Sequence, residues 1–82
     1  MEKVDLIFTS NAGDFEDVFQ TDLLLSTVKA EVMVKLKLDQ SKSDEYWVTF
    51  QGNPLDESKK LSELKLTDGA LLVIERKEVT KI

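Results

Sequence analysis

The chain has 82 residues, with 11 basic and 16 acidic side chains for a net charge of −5, and is 41% hydrophobic. That length is one domain against a usual size of roughly 100–150 residues, and the apolar content is too high for a disordered chain. The acidity, with ten lysines and only one arginine (Arg76), argues against a nucleic-acid partner, which needs clustered Lys and Arg.

Cysteine and histidine are both missing. This removes disulfides, thiol nucleophiles, the usual zinc ligands and the default general base near neutral pH. Acidic pairs occur at Glu16/Asp17, Asp44/Glu45 and Asp56/Glu57. Neighbours on a strand point to opposite faces, and in loops such pairs are ordinarily solvated. The expectation is a protein that is not an enzyme, with no catalytic residue, no cofactor and no metal. The start, MEKVDLIFTSNAGD, lacks the basic opening and longer apolar run of a signal peptide. Leu23–Leu25 and Ala70–Ile74 are too short to span a bilayer, so a cytoplasmic protein with no membrane association is expected.

Taken in order, Val4, Leu6 and Phe8 alternate with Asp5, Ile7 and Thr9, predicting a strand with the first set toward a core. Asn11-Ala12-Gly13-Asp14 is turn chemistry, and Phe15 to Gln20 is the returning strand. Asp17 between Phe15 and Phe19 points to a bulge or an edge position. Asp22 reads as the N-cap of a helix running to about Leu38, with Leu25, Val28, Val32 and Leu36 on its apolar face. Lys29, Glu31 and Lys35 fall largely off that face, and Val34 is predicted exposed. DQSKSDE, residues 39–45, has no apolar member and reads as a mobile loop.

Tyr46, Val48 and Phe50 alternate with Trp47, Thr49 and Gln51 as the next strand, closed by a turn at Gly52-Asn53-Pro54. Leu61, Leu64 and Leu66 suit a short helical turn. Thr67-Asp68-Gly69 is a tight turn before a last strand, Ala70 to Arg76, with Leu72 and Ile74 inward and Val73 and Glu75 outward. The expected core is Leu6, Phe8, Leu25, Val28, Val32, Val48, Phe50, Leu61, Leu66, Leu72 and Ile74. This order of elements predicts an α+β roll, with a mixed four- to five-stranded sheet and one helix packed on one face. The domain spans 1–76 and is followed by a flexible tail, 77–82.

The stretch FQGNPLDESKKLSELKLTDGALLVI resembles ubiquitin and its relatives, and VKAEV matches the helix pattern of that family. Trp47, Gly52-Asn53, Lys59-Lys60 and Thr67-Asp68-Gly69 are more similar still to bacterial ubiquitin-like domains. The resemblance implies a β-grasp fold, which by itself does not fix function. Conjugated and sulfur-carrying members of that family end in Gly-Gly, whereas this chain has glycine only at 13, 52 and 69 and ends Val79-Thr80-Lys81-Ile82. In that form it is not expected to be activated for transfer. The positions matching the family's partner-binding patch hold Thr49, Val73 and Glu75.

Parity sets Trp47 and Thr49 on the face away from the helix, beside Val73 and Ile7 and bounded by Asp5, Gln51 and Glu75. An exposed Trp among aliphatics suits an interface centre, so Trp47, Thr49, Val73, Ile7 and Glu75 form the expected protein-binding set. Equally, the indole could fold over the sheet edge and close the core. The expected role is a non-catalytic ubiquitin-like adaptor or subunit, monomeric or weakly homodimeric, that docks a protein partner through its sheet face. The alternative is a modifier or sulfur carrier whose C-terminal Gly-Gly is absent from this chain.

Overall fold

The computed structural model of the protein describes residues 2–77. Strands β1 (Lys3–Ser10) and β2 (Gly13–Gln20) form a hairpin, followed by helix α1 (Leu25–Lys35), β3 (Tyr46–Phe50), the two-residue β4 (Asn53–Pro54) and β5 (Ala70–Arg76). The sheet order is β2-β1-β5-β3-β4, with β1 and β5 parallel at the centre and the other pairs antiparallel. This is the expected α+β roll, a mixed sheet of five strands with one main helix. β2 pairs with β1 without interruption from Lys3↔Gln20 to Ser10↔Gly13, so the irregular pattern of β2 reflects an edge strand and not a bulge. Asp17 shares the inward parity of Phe15 and Phe19 yet lies exposed. A strand at the rim keeps such a charge in water, and an acidic edge also discourages pairing with other chains.

Among the described residues ten large side chains are fully buried, including Leu6, Phe8, Leu25, Val28, Val32, Val48, Leu61, Leu72 and Ile74. Phe50 and Leu66, expected in the core, are only partly buried at its margin. Phe8 and Phe19 meet edge to face with ring centroids 5.8 Å apart, the arrangement favoured by the aromatic quadrupole. Val34 lies exposed, as predicted.

The helix begins and ends later and earlier than the sequence suggests. Its N-cap is Leu24, not Asp22, and no side chain caps it. Backbone carbonyls of the 57–59 loop take that role: the N–H of Leu25 donates to Lys59 O at 2.9 Å and that of Ser26 to Glu57 O at 3.0 Å. Two of the orphan donors of the first turn are thereby satisfied by a segment more than thirty positions away, which no local signal announces. At the other end Leu36 is the C-cap and Lys37 turns left-handed at φ 61°. The N–H of Leu38 donates to Met33 O at 2.8 Å and that of Lys37 to Val34 O at 3.0 Å, a Schellman closure without glycine. An isolated helix of 11 residues carrying Thr27, Val28, Val32 and Val34 would be marginal, so packing on the sheet holds it.

Two loops also differ from expectation. Residues 39–45 are not an unstructured loop: Gln40–Glu45 forms a 3₁₀ turn, started by Asp39, whose carboxylate accepts from the N–H of Ser41 at 3.0 Å. The reversal after β3 lies at Gln51-Gly52, with φ of 53° and 83°, and Asn53 and Pro54 already pair back against Phe50 and Thr49. Positive φ at both positions is the type I′ pattern of a two-residue hairpin, and Pro54 is tolerated because β4 is the sheet edge. Leu61–Leu64 is the short 3₁₀ turn anticipated between them and β5.

Candidate protein-binding face

The helix covers one face of the sheet, and the odd-numbered positions of β1, β3 and β5 line the other. In register across this open face, Ile7 stands opposite Leu71, Thr9 and Thr49 flank Val73, and Trp47 stands opposite Glu75. The structure therefore sets Trp47, Thr49, Val73, Ile7 and Glu75 on one surface. Their accessibility differs widely. Glu75 is exposed, Ile7, Val73 and Trp47 are half-buried, and Thr49 is only 4% exposed in the ladder between Val73 and Pro54.

Trp47 falls between its two sequence readings. Its ring is half-buried, and its Nε1–H donates to Glu75 Oε1 at 3.3 Å, a long bond on the open face. It also lines a shallow hollow with Lys29, Pro54, Leu55 and Glu57 at the β4 edge.

The side chains most open to a partner are others. Leu71 is 52% exposed and Val18 is 51% exposed. β2 reads poorly as an alternating strand, and Leu71 sits inside a continuous apolar run, so neither stood out by pattern. Parity with Val73 would have placed Leu71 on the open face. Asp5 stands opposite Val18 and Ile7 opposite Glu16, so the two apolar and the two acidic side chains lie on crossing diagonals of one square. Diagonal neighbours in a sheet remain within reach of long side chains. The Asp5 carboxyl accordingly raises the Glu16 carboxyl above its ordinary range, through hydrogen bonding first and like charge second.

Several of the other acidic groups are committed elsewhere. Glu57 Oε1 accepts from Lys29 Nζ at 2.8 Å. Lys29, expected near solvent, is instead 5% exposed, and its ammonium also donates to Ser43 O at 2.6 Å and Tyr46 O at 2.9 Å. Three acceptors match the three donors of an ammonium, which makes burial of the charge tolerable. Lys29 thus ties the helix to the 3₁₀ turn, to β3 and to the 56–59 loop. Asp39 and Asp56 each accept from a serine hydroxyl and N–H two residues on, at Ser41 and Ser58, which lowers both carboxyls below their usual range. Glu45 pairs with Arg76 at the surface. Among the described residues no three acidic side chains converge as metal ligands, and no helix is long and apolar enough to cross a membrane.

No protein-family model matches the chain, and no curated protein sequence matches it. Solved structures do. A ubiquitin from Caldiarchaeum subterraneum superposes with a TM-score of 0.77 at 19% identity, over 98% of this chain and 100% of that one. A structure describing molecular mimicry of SUMO in DNA repair gives 0.82 at 14% identity, over 92% of each chain. The ubiquitin-like domain of an Arabidopsis thaliana protein gives 0.77 at 14% identity, covering 100% of this chain and 85% of that chain. The fold is a ubiquitin-like β-grasp.

Proposed function

We propose that the protein is a non-catalytic ubiquitin-like interaction module, an adaptor or subunit of the cytoplasm, that docks a protein partner through the open face of its sheet. The observation that carries this reading is the uncovered apolar surface opposite the helix, where Leu71 and Val18 stand about half exposed beside Ile7 and Val73. Exposed aliphatics add nothing to the stability of a monomer, and an apolar centre within a polar rim is interface anatomy. Trp47 and Glu75 form one end of the face, while Thr49 is its covered floor and contributes shape more than contact. The finer likeness to bacterial ubiquitin-like domains rests on Trp47, Gly52-Asn53, Lys59-Lys60 and Thr67-Asp68-Gly69. The modifier or sulfur-carrier alternative turns on the C-terminus, and residues 78–82, most of the expected tail, lie outside the described residues.

The test is capture of partners from the source cells with the chain and with an Ile7→Ser/Leu71→Ser variant. Capture lost by the variant, with its melting transition kept, supports docking through the face. Equal capture by both would overturn it.

A further inference from the structure

The open face carries a charge pattern as well as an apolar one, and together they describe what fits it. Val18, Ile7 and Leu71 run obliquely across β2, β1 and β5. Beyond Leu71 the strip opens into a hollow of about 480 Å³ lined by Phe50, Gly52, Asp68, Ala70, Leu71 and Val73 among others, large enough for one apolar side chain of a partner. Around this strip stand Asp5, Asp14, Glu16 and Glu75, all on open-face strand positions, with Asp68 in the turn below. The Asp68 side chain is held in place, its Oδ1 accepting from the N–H of Asp5 at 2.9 Å. Among the described basic residues only Lys3 occupies an open-face strand position. The other described lysines lie on the helix or in loops, and Arg76 has the inward parity of Leu72 and Ile74.

Resting on the docking face argued above, we propose that its occupant is a cationic amphipathic helix of a protein partner, with apolar side chains on Val18, Ile7 and the hollow beside Leu71 and Lys or Arg over the Asp5–Glu16 pair. Two interstrand spacings and a two-residue offset separate Val18 from Leu71, roughly 12 Å. Side chains seven residues apart on a helix are about 10.5 Å apart, so one apolar stripe can reach both. A second copy of this chain is disfavoured, because two such faces would bring acidic rims together. A basic partner brings opposite charge to Asp5 and Glu16, which face one another across one diagonal of the sheet.

The experiment titrates the isotope-labelled chain with three defined 18-residue amphipathic peptides that share one leucine stripe and carry Lys, Gln or Glu on the other face. The expected result is saturable amide shifts centred on Asp5, Ile7, Glu16, Val18 and Leu71 with the Leu/Lys peptide. Binding should weaken at least tenfold for the Leu/Gln peptide and for an Asp5→Asn/Glu16→Gln variant, and be lost in Leu71→Ser. Shifts spread over Asp39, Asp44 and Asp56 would mean diffuse attraction to an acidic protein and would overturn the proposal. Equal binding of Leu/Gln and Leu/Lys at the face would overturn the cationic assignment while leaving the docking face standing. Concentration-dependent shifts of the same residues without peptide would assign the face to self-association and overturn it too. The docking face itself fails only if the capture experiment with Ile7→Ser/Leu71→Ser shows no loss.

Discussion

The two faces of the sheet are built from the same strands and differ by one residue of parity. On the helix side Leu6, Phe8, Val48 and Leu72 are fully buried, while on the open side Leu71 and Val18 are half exposed. Ile7 and Leu71 are as apolar as the residues next to them in sequence. What separates core from surface is which side α1 covers. Apolar content therefore measures stability only on the covered side, and on the other side it is available for recognition.

Substitutions can break this contrast, and the largest effect belongs to the covered side. Val28→Asp places an unpaired charge under the helix, a cost of several kcal/mol against a total of about 5–15, and should abolish the cooperative thermal transition. Retention of native melting would show the helix face to be wrongly assigned. Lys29→Met should be next, at roughly 3–5 kcal/mol by denaturant unfolding, since Glu57 and the carbonyls of Ser43 and Tyr46 lose their shared partner. Adding Glu57→Gln should recover part of that loss, because one unpaired charge is removed.

The two sides should also respond to pH with opposite sign. On the helix side, the lowered carboxyls of Asp39 and Asp56 contribute stability that is present above the ordinary aspartate value of 3.8 and lost as pH falls through their folded-state values. Ser58→Ala should destabilise at neutral pH, and its deficit should shrink in acid. On the open side the Glu16 carboxyl is raised, so its contribution is greatest below 4.5 and is lost as pH rises through the folded-state value. Glu16→Gln should therefore stabilise the protein at neutral pH, and the gain should vanish in acid; a gain that grows in acid would refute the Asp5–Glu16 contact. The smallest effect is expected at the bare apolar positions. Leu71→Ser should shift unfolding by within about 0.5 kcal/mol, the range usual for surface substitutions. A loss of several kcal/mol there would mean that the open face is part of the core.

Hydrophobic alternation and turn chemistry in the sequence were enough for the roll, most of the core and the parity of the open face. Those signals are local, because period two and period 3.6 are set by backbone geometry and by side chains a few residues apart. Tertiary structure decided what depends on distant neighbours. The helix starts after Leu24 because carbonyls of Glu57 and Lys59 cap it, and Asp22 is not needed. Lys29 is buried because three acceptors from the 3₁₀ turn, β3 and the 56–59 loop converge on its ammonium. Thr49, by parity a surface residue, is covered within the ladder, while Val18 on a poorly patterned edge strand stands half exposed on the open face. Parity in a sequence says which way a side chain points; only the packing of the other strands and the helix says whether anything is already there.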